Sequence, residues 1–477
     1  MFRSETLGGG IELNKVSAFF TKLFGNDVNE FETPFTVKDA AKYGDAKTKA
    51  SFFIMGFGEI CNHQYIKGIM YLLIEIAYIL YMIFEGFHQI AMLPSLGSTE
   101  QTEVYNEALG VYEYSAGDNS VLILLFGLAA IFVTIGFFII WKASVRGCYK
   151  SQWLREHGYP LPTFKQDVAN LFDGEIQRTL LTLPVLGIVV FTVLPLVFMI
   201  CMAFTNYSRI GQHLILFDWV GLKNFGEVLN FGSEIGSQFW GVLGWTIIWA
   251  IMATFLNYVF GMVLAIVINR KETKGKSFWR FCFILSIAVP QFVSLMVMRS
   301  VLQQNGAVNV ILENLGWISS PLPFWTDATW ARVTVIIINL WVGIPYTLLN
   351  LTGILQNIPG ELYESAKVDG ANAWTTFWKI TLPYMLFVTT PNLITTFTGN
   401  INNFNVIYLL SSGDPTPVGH SAGKTDLLVT WLYKLTIDRQ EYNIGAVIGI
   451  LTFVVLAIVS LITYRSSGSY KNEEGFM

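Results

Sequence analysis

Residues 361–383 read ELYESAKVDGANAWTTFWKITLP, a polar stretch set between two long apolar runs. Leu362, Ser365 and Ala366 fall on one helical face before Gly370, and Ala373, Phe377 and Ile380 share one after it, so the spacing predicts two short helices around a turn. The turn is placed at Asp369-Gly370, because glycine accepts a left-handed backbone that costs other residues about 1 kcal/mol. Pro383 is predicted to open the next membrane helix, since a first-turn proline forfeits no hydrogen bond. A helix-turn-helix between two spans, on the side where the basic loops lie, is a docking element for a soluble partner.

The flanking runs fit a membrane protein. The chain has 477 residues, 53% hydrophobic and 13% charged, with a positive mean hydropathy. A helical span needs about 20 apolar residues to cross roughly 30 Å of hydrocarbon. Eight stretches qualify: 68–92, 120–141, 179–204, 243–268, 281–302, 333–355, 383–410 and 443–464. The expected fold is therefore all-α and polytopic. Of the 30 Lys and Arg residues, 23 fall in the segments that alternate with these spans on the side of the N-terminus. That bias places both termini in the cytoplasm. No apolar run of signal-peptide length opens the first 50 residues, which agrees with a cytoplasmic start.

The organisation expected is a cytoplasmic segment over 1–67, a two-helix accessory piece with a basic linker over 68–178, a six-helix core over 179–464, and a cytoplasmic tail over 465–477. Val16, Phe19, Phe20, Leu23 and Phe24 lie at helical spacing, which suits an amphipathic helix on the membrane, on a partner or on this chain equally. The basic linker carries Cys148, expected to be open to a thiol reagent from the cytoplasmic side. With Cys61, Cys201 and Cys282 it forms no metal-ligand or redox motif, so neither a disulfide nor a metal is expected.

The chemistry of energy supply is sparse. The interiors of the last seven spans lack Asp, Glu, Lys, Arg and His, and only Glu75 and Glu85 in the first offer carboxylates. Standing ten residues apart on different helical faces, they suit polar contacts between helices better than a proton relay, which would make this a stand-alone secondary transporter. Residues 419–425, GHSAGKT, resemble a phosphate-binding loop but have three residues between the glycines where that loop needs four. The chain is thus expected to catalyse nothing and to bind no nucleotide.

Glu364-Ser365-Ala366, then Gly370, then Ile380-Thr381-Leu382-Pro383 resembles the coupling loop of ABC-importer membrane subunits. The resemblance continues through Trp341-Val342-Gly343-Ile344-Pro345-Tyr346, Asn400-Ile401-Asn402-Asn403-Phe404 and Thr425-Asp426-Leu427-Leu428-Val429. Over roughly 179–464 the chain is similar to the larger permease of maltose/maltodextrin-type importers. Ser365 replaces the family's second alanine, small for small. The resemblance implies ATPase coupling through Glu364, Ser365, Ala366, Asp369, Gly370, Ile380, Leu382 and Pro383. It implies as partners a second homologous permease, an ATPase dimer that uses ATP and Mg, an extracellular sugar-binding lipoprotein, the sugar and membrane lipid, and no nucleic acid. The 205–241 loop carries Val220-Gly221-Leu222-Lys223-Asn224-Phe225, which looks like the family's motif after the first core helix. It is too short for the large domain inserted there in proteobacterial relatives. That implies a Gram-positive-type importer in the bacterial cell membrane.

Sugar sites combine aromatic faces with amides and hydroxyls. Trp341, Gly343 and Tyr346 in the sixth span, and Thr396, Asn400 and Asn403 in the seventh, supply that set at helical spacing. Polar residues in membrane helices also act as interhelical glue, and spacing alone allows either role. The resemblance assigns these six to substrate contact, with Gly399 where relatives can carry an aromatic, implying a roomier pocket or one that lacks a stacking surface.

Overall fold

The computed structural model describes residues 35–100, 102–106, 110–114, 117–172, 176–210, 212–270 and 272–466. The amphipathic helix expected around Val16–Phe24 lies outside them. The chain forms two compact units, the first ending at Phe198 and the second beginning at Met199.

In the first unit, three short helices, α1 (Val37–Tyr43), α2 (Ala46–Ala50) and α3 (Phe57–Cys61), precede two long ones. These are α4 (Tyr65–Met92, with a π turn at Met82–Gly86) and α5 (Ser120–Glu156). Tyr78 of α4 stacks on Phe137 of α5 at 3.9 Å, and its hydroxyl meets Thr134 at 3.2 Å. Between them lies an antiparallel hairpin, β1 (Glu103–Asn106) with β2 (Val111–Tyr114), an addition to the all-α expectation. Glu75 accepts a hydrogen bond from the Met55 N–H at 2.8 Å, a contact with the turn before α3 rather than the expected one between helices. Amphipathic α6 (Phe164–Phe172) precedes α7 (Ile176–Met202), which runs through the boundary between the units.

The expectation that Cys148 lies open in a linker is corrected. No proline interrupts residues 142–156, so α5 continues for 37 residues, about 55 Å, well beyond a bilayer's hydrocarbon. Cys148 sits on that extension, fully buried, where the Ser51 hydroxyl donates to its Sγ at 3.5 Å. Burial also pushes its neighbour Glu59 up from the usual carboxylate range.

The second unit is organised around α9 (Glu234–Asn269), which follows the short α8 (Lys223–Leu229). Over the expected 281–302 span the chain forms two helices, α10 (Lys276–Ala288) and α11 (Gln291–Val301), bent by 87°. Pro290 has no N–H to donate and pushes Val289 into extended backbone, so the helix cannot run through. After α12 (Ala307–Asn314) comes α13 (Ala328–Gln356), then α14 (Gly360–Val368) and α15 (Ala373–Thr376). A π turn at Phe377–Thr381 joins α15 to α16 (Leu382–Ile401). Pro383 stands in the first turn of α16, as expected, but the π turn makes that helix continuous with α15. The wider turn accommodates the carbonyl that a proline leaves unpaired four residues earlier.

The expected 383–410 span is broken as well. It stops at Asn402 and restarts as α17 (Phe404–Leu410), with the Asn403 side chain accepting the Val406 N–H as its cap. In α16, Thr389, Thr390, Thr395, Thr396 and Thr398 each return their hydroxyl to the carbonyl four residues back, so the polar atoms are satisfied within the helix. The chain closes with α18 (Leu428–Tyr433) and α19 (Tyr442–Ser466). Among the described residues six helices are long and apolar enough to cross a membrane, seven if the bent pair is one span. Eight, as expected from the apolar runs, is not reached, because α16 is diluted by threonine and asparagine.

Candidate functional site

The helix-turn-helix forms where the sequence placed it. Gly370 has φ +74°, and the Gly370 N–H bonds the Lys367 carbonyl while that of Ala371 reaches back to Ala366. This pair of bonds closes α14 in a Schellman motif, which requires the left-handed residue. Asn372 caps the next helix by accepting the Thr375 N–H at 2.8 Å. Tyr363 and Thr381 meet through their hydroxyls at 3.1 Å, so the two helices are pinned to each other. Tyr363, Phe377 and Leu382 pack against a core of Tyr258, Met262, Leu348, Leu351 and Met385.

The opposite face is bare. Glu364, Ser365, Asp369, Gly370 and Pro383 are exposed, while Ala366, Ile380 and Leu382 are half-buried. Val368 is 87% exposed and Trp374 70%, with Trp378 set edge-on to Trp374 at 5.6 Å. These apolar residues were missed in the sequence, although the two tryptophans in a polar stretch were a visible signal. A rigid element with an uncovered apolar and acidic face lacks a partner among the described residues.

The residues expected to contact sugar divide. Asn400 is buried: its Nδ2 donates to Thr254 Oγ1 at 2.9 Å, and its carbonyl accepts the Trp249 indole N–H at 3.1 Å. Gly343 lies against Asn257, whose amide a Cβ at 343 would strike. Both contacts are with α9, so this helix, which the spacing argument did not single out, draws the two halves of the set toward one place. Trp341 and Tyr346 are exposed on α13, and Thr396 and Gly399 on α16. Asn403 is half-buried and serves as the cap of α17.

Two further polar groups were missed. Asn257 and Asn339, one turn before Gly343, are buried with Oδ1 and Nδ2 respectively lacking a partner among the described residues. A buried, unsatisfied amide costs about 1–3 kcal/mol, and is kept where something else uses it.

At the far end of α13, residues 411–441 fold back onto α9. Asp426 is fully buried, bonded to Lys434 Nζ at 2.7 Å, the Gly423 N–H and the Thr430 hydroxyl. Burial nonetheless pushes its carboxyl up. Gln238 Oε1 accepts the Ser421 and Ala422 N–H groups, and the Trp245 indole donates to the Thr425 carbonyl. The near-miss phosphate loop lies here, and its amides from Ser421 to Asp426 are spent on these and neighbouring carbonyls. Asn224, of the stretch after the first core helix, is likewise a clamp, donating to the Ala203 and Thr205 carbonyls.

The profile of the "Binding-protein-dependent transport system inner membrane component" family matches residues 257–468. Across 88% of its length the chain is 36% identical to the galactooligosaccharides transport system permease protein GanP of Bacillus subtilis (strain 168), covering 97% of that protein. It is 34% identical to the maltodextrin transport system permease protein MdxF of the same organism, again over 88% of this chain and 95% of that one. A solved bacterial alginate ABC transporter, in complex with an alginate pentasaccharide-bound periplasmic protein, superimposes with a TM-score of 0.52 at 23% identity. The match covers 63% of this chain and 97% of that one, and shows the fold. This multi-pass membrane chain belongs to the family of binding-protein-dependent transport system inner membrane components.

Proposed function

We propose that the chain is one half of the translocation pathway of an ATP-driven importer of a neutral oligosaccharide, a malto-oligosaccharide or a galacto-oligosaccharide. The observation that carries this reading is the rigid helix-turn-helix with an uncovered outer face, seated on the membrane core by Tyr363, Phe377 and Leu382. It is the surface for an ATPase dimer, with Glu364, Ser365, Ala366, Asp369, Gly370, Ile380, Leu382 and Pro383 as the coupling residues. The ATPase hydrolyses ATP with Mg, and this chain binds neither. All eight apolar stretches cross the bacterial cell membrane, the broken pairs included, and both termini are cytoplasmic. The accessory piece is taken as 68–178 and the core as 179–464, as read from the sequence.

Trp341, Gly343, Tyr346, Thr396, Gly399, Asn400 and Asn403, with Asn257 and Asn339, surround the sugar's path. The exposed Trp341 and Tyr346 form a wall shared with a second, homologous permease. Among its described residues the stretch between α7 and α9 holds one short helix, α8, which suits a Gram-positive-type importer served by an anchored sugar-binding lipoprotein. Glu75, engaged by the Met55 N–H, is poorly placed as a proton relay.

The test is uptake by vesicles containing the four-subunit complex, loaded with ATP and supplied with the binding protein and labelled maltotriose or galactotriose. ATP-dependent accumulation of either is expected. Uptake driven by a proton gradient in the absence of any ATPase would sink the proposal.

A further inference from the structure

A polar cavity shares none of its lining residues with the sugar path just described. It has a volume of about 380 Å³ and is lined by Arg299, Gln303, Trp325, Thr326, Ser411 and Asp414, among others. Trp325 and Thr326 precede Asp327, the cap of α13, whose 29 residues extend about 43 Å toward the helix-turn-helix. Cavity and coupling element therefore stand at opposite ends of one helix.

The walls are fixed in advance. The buried side chain of Asn309 donates to the carbonyls of Gln303 and Leu322 and accepts the Leu322 N–H, tying the two chain segments that carry Gln303 and Trp325. The Trp325 indole donates to the Arg299 carbonyl, and Arg299 Nη1 to Ser412 Oγ at 2.8 Å. These bonds hold the walls but leave much of the lining unspent. The Gln303 amide has no partner among the described residues. Arg299 uses one of its five donors, and Asp414 accepts from Thr416 through Oδ1, with Oδ2 to spare. Arg299 and Asp414 line the same cavity without pairing, so a cation and a carboxylate balance there.

An aromatic face, a free amide, a guanidinium and a carboxylate in one rigid recess suit vicinal hydroxyls and the apolar face of a pyranose. The balanced charge argues against an acidic sugar, which would want an excess of cations. The volume lies at the low end of the roughly 300–1,000 Å³ of small-molecule sites, so it admits the end of a chain and not the whole of one. We propose that this cavity is a peripheral subsite for the end units of a neutral oligosaccharide, engaged at the external mouth of the pathway. The proposal rests on the importer reading above, and adds a preference for chain length to it.

The experiment measures binding of labelled maltose and maltoheptaose, or the corresponding galacto-oligosaccharides if those are what the wild-type complex imports, to the assembled complex by equilibrium dialysis. Gln303→Ala removes an exposed amide while its main-chain bond to Asn309 remains, so the fold is not at stake. It should reduce the advantage of the long chain over the short one by about three- to tenfold. Trp325→Ala should do the same, and Trp325→Phe should restore most of the advantage. A loss equal for both lengths would assign the cavity to docking of the binding protein and overturn the subsite. So would an unchanged length advantage in Gln303→Ala, or tighter binding of an acidic oligosaccharide. Absence of any sugar uptake by the wild-type complex would remove the importer reading and the subsite together, whereas normal uptake with a length-independent variant removes the subsite alone.

Discussion

Two polar segments sit at opposite ends of α13, and they are built in opposite ways. Residues 411–441 are anchored by an inward network: Asp426 accepts from Lys434, Gly423 and Thr430, and Gln238 of α9 accepts two of the segment's backbone amides. Residues 360–383 are seated differently. One hydroxyl pair and a few half-buried side chains seat that segment, while Glu364, Val368 and Trp374 face outward. The first closes this chain's own core, and a buried unpaired group there would cost more than any surface bond returns. The second leaves an outer face uncovered, the surface proposed above for the ATPase.

The contrast breaks most visibly at Asp426. Asp426→Ala leaves Lys434, the Gly423 N–H and the Thr430 hydroxyl without their shared acceptor, and should cost about 3–5 kcal/mol. A fall in the melting temperature of the purified protein is expected, and an unchanged one would mean that the segment is not anchored through Asp426.

Asn400→Ala comes next. It removes the bond to Thr254 inside the helix contact, for about 1–3 kcal/mol. Lowered stability together with lowered uptake is the expected pair. Lowered uptake alone would show that Asn400 leaves its contact to reach the sugar.

Gly370→Val should cost about 1–2 kcal/mol of local strain, since φ +74° is the whole of the constraint and no atom crowds the position. The protein should reach the membrane in normal amounts but fail to co-purify with the ATPase. Full association and full uptake would remove the helix-turn-helix from the coupling path. Trp341→Ala, on an exposed position, should leave the melting temperature alone and weaken sugar interaction by about 1 kcal/mol, roughly fivefold in affinity. Unchanged selectivity across a panel of sugars would return Trp341 to a lipid-facing role.

The gentlest test sharpens the comparison without perturbing either element. Cys148 is buried and unsuitable, but Val418 and Val368 are exposed tips of the two segments. Val418→Cys should react with a membrane-impermeant thiol reagent in intact cells, and Val368→Cys only after the membrane is opened. Equal reaction of both in intact cells would overturn the orientation.

The sequence by itself determined the class, the helix-turn-helix and the left-handed Gly370, because hydropathy and local backbone geometry are properties of short windows. It also showed which residue types a sugar would need. It did not determine that the apolar run at 281–302 bends at Pro290, or that 383–410 breaks at Asn402, since a run of apolar letters records length and not path. Nor could it separate Asn400, locked against Thr254, from Trp341, left exposed one helix away. That distinction depends on α9 lying between α13 and α16. Which side chain is spent and which remains free is decided by contacts between residues more than a hundred positions apart, and only the tertiary structure supplies them.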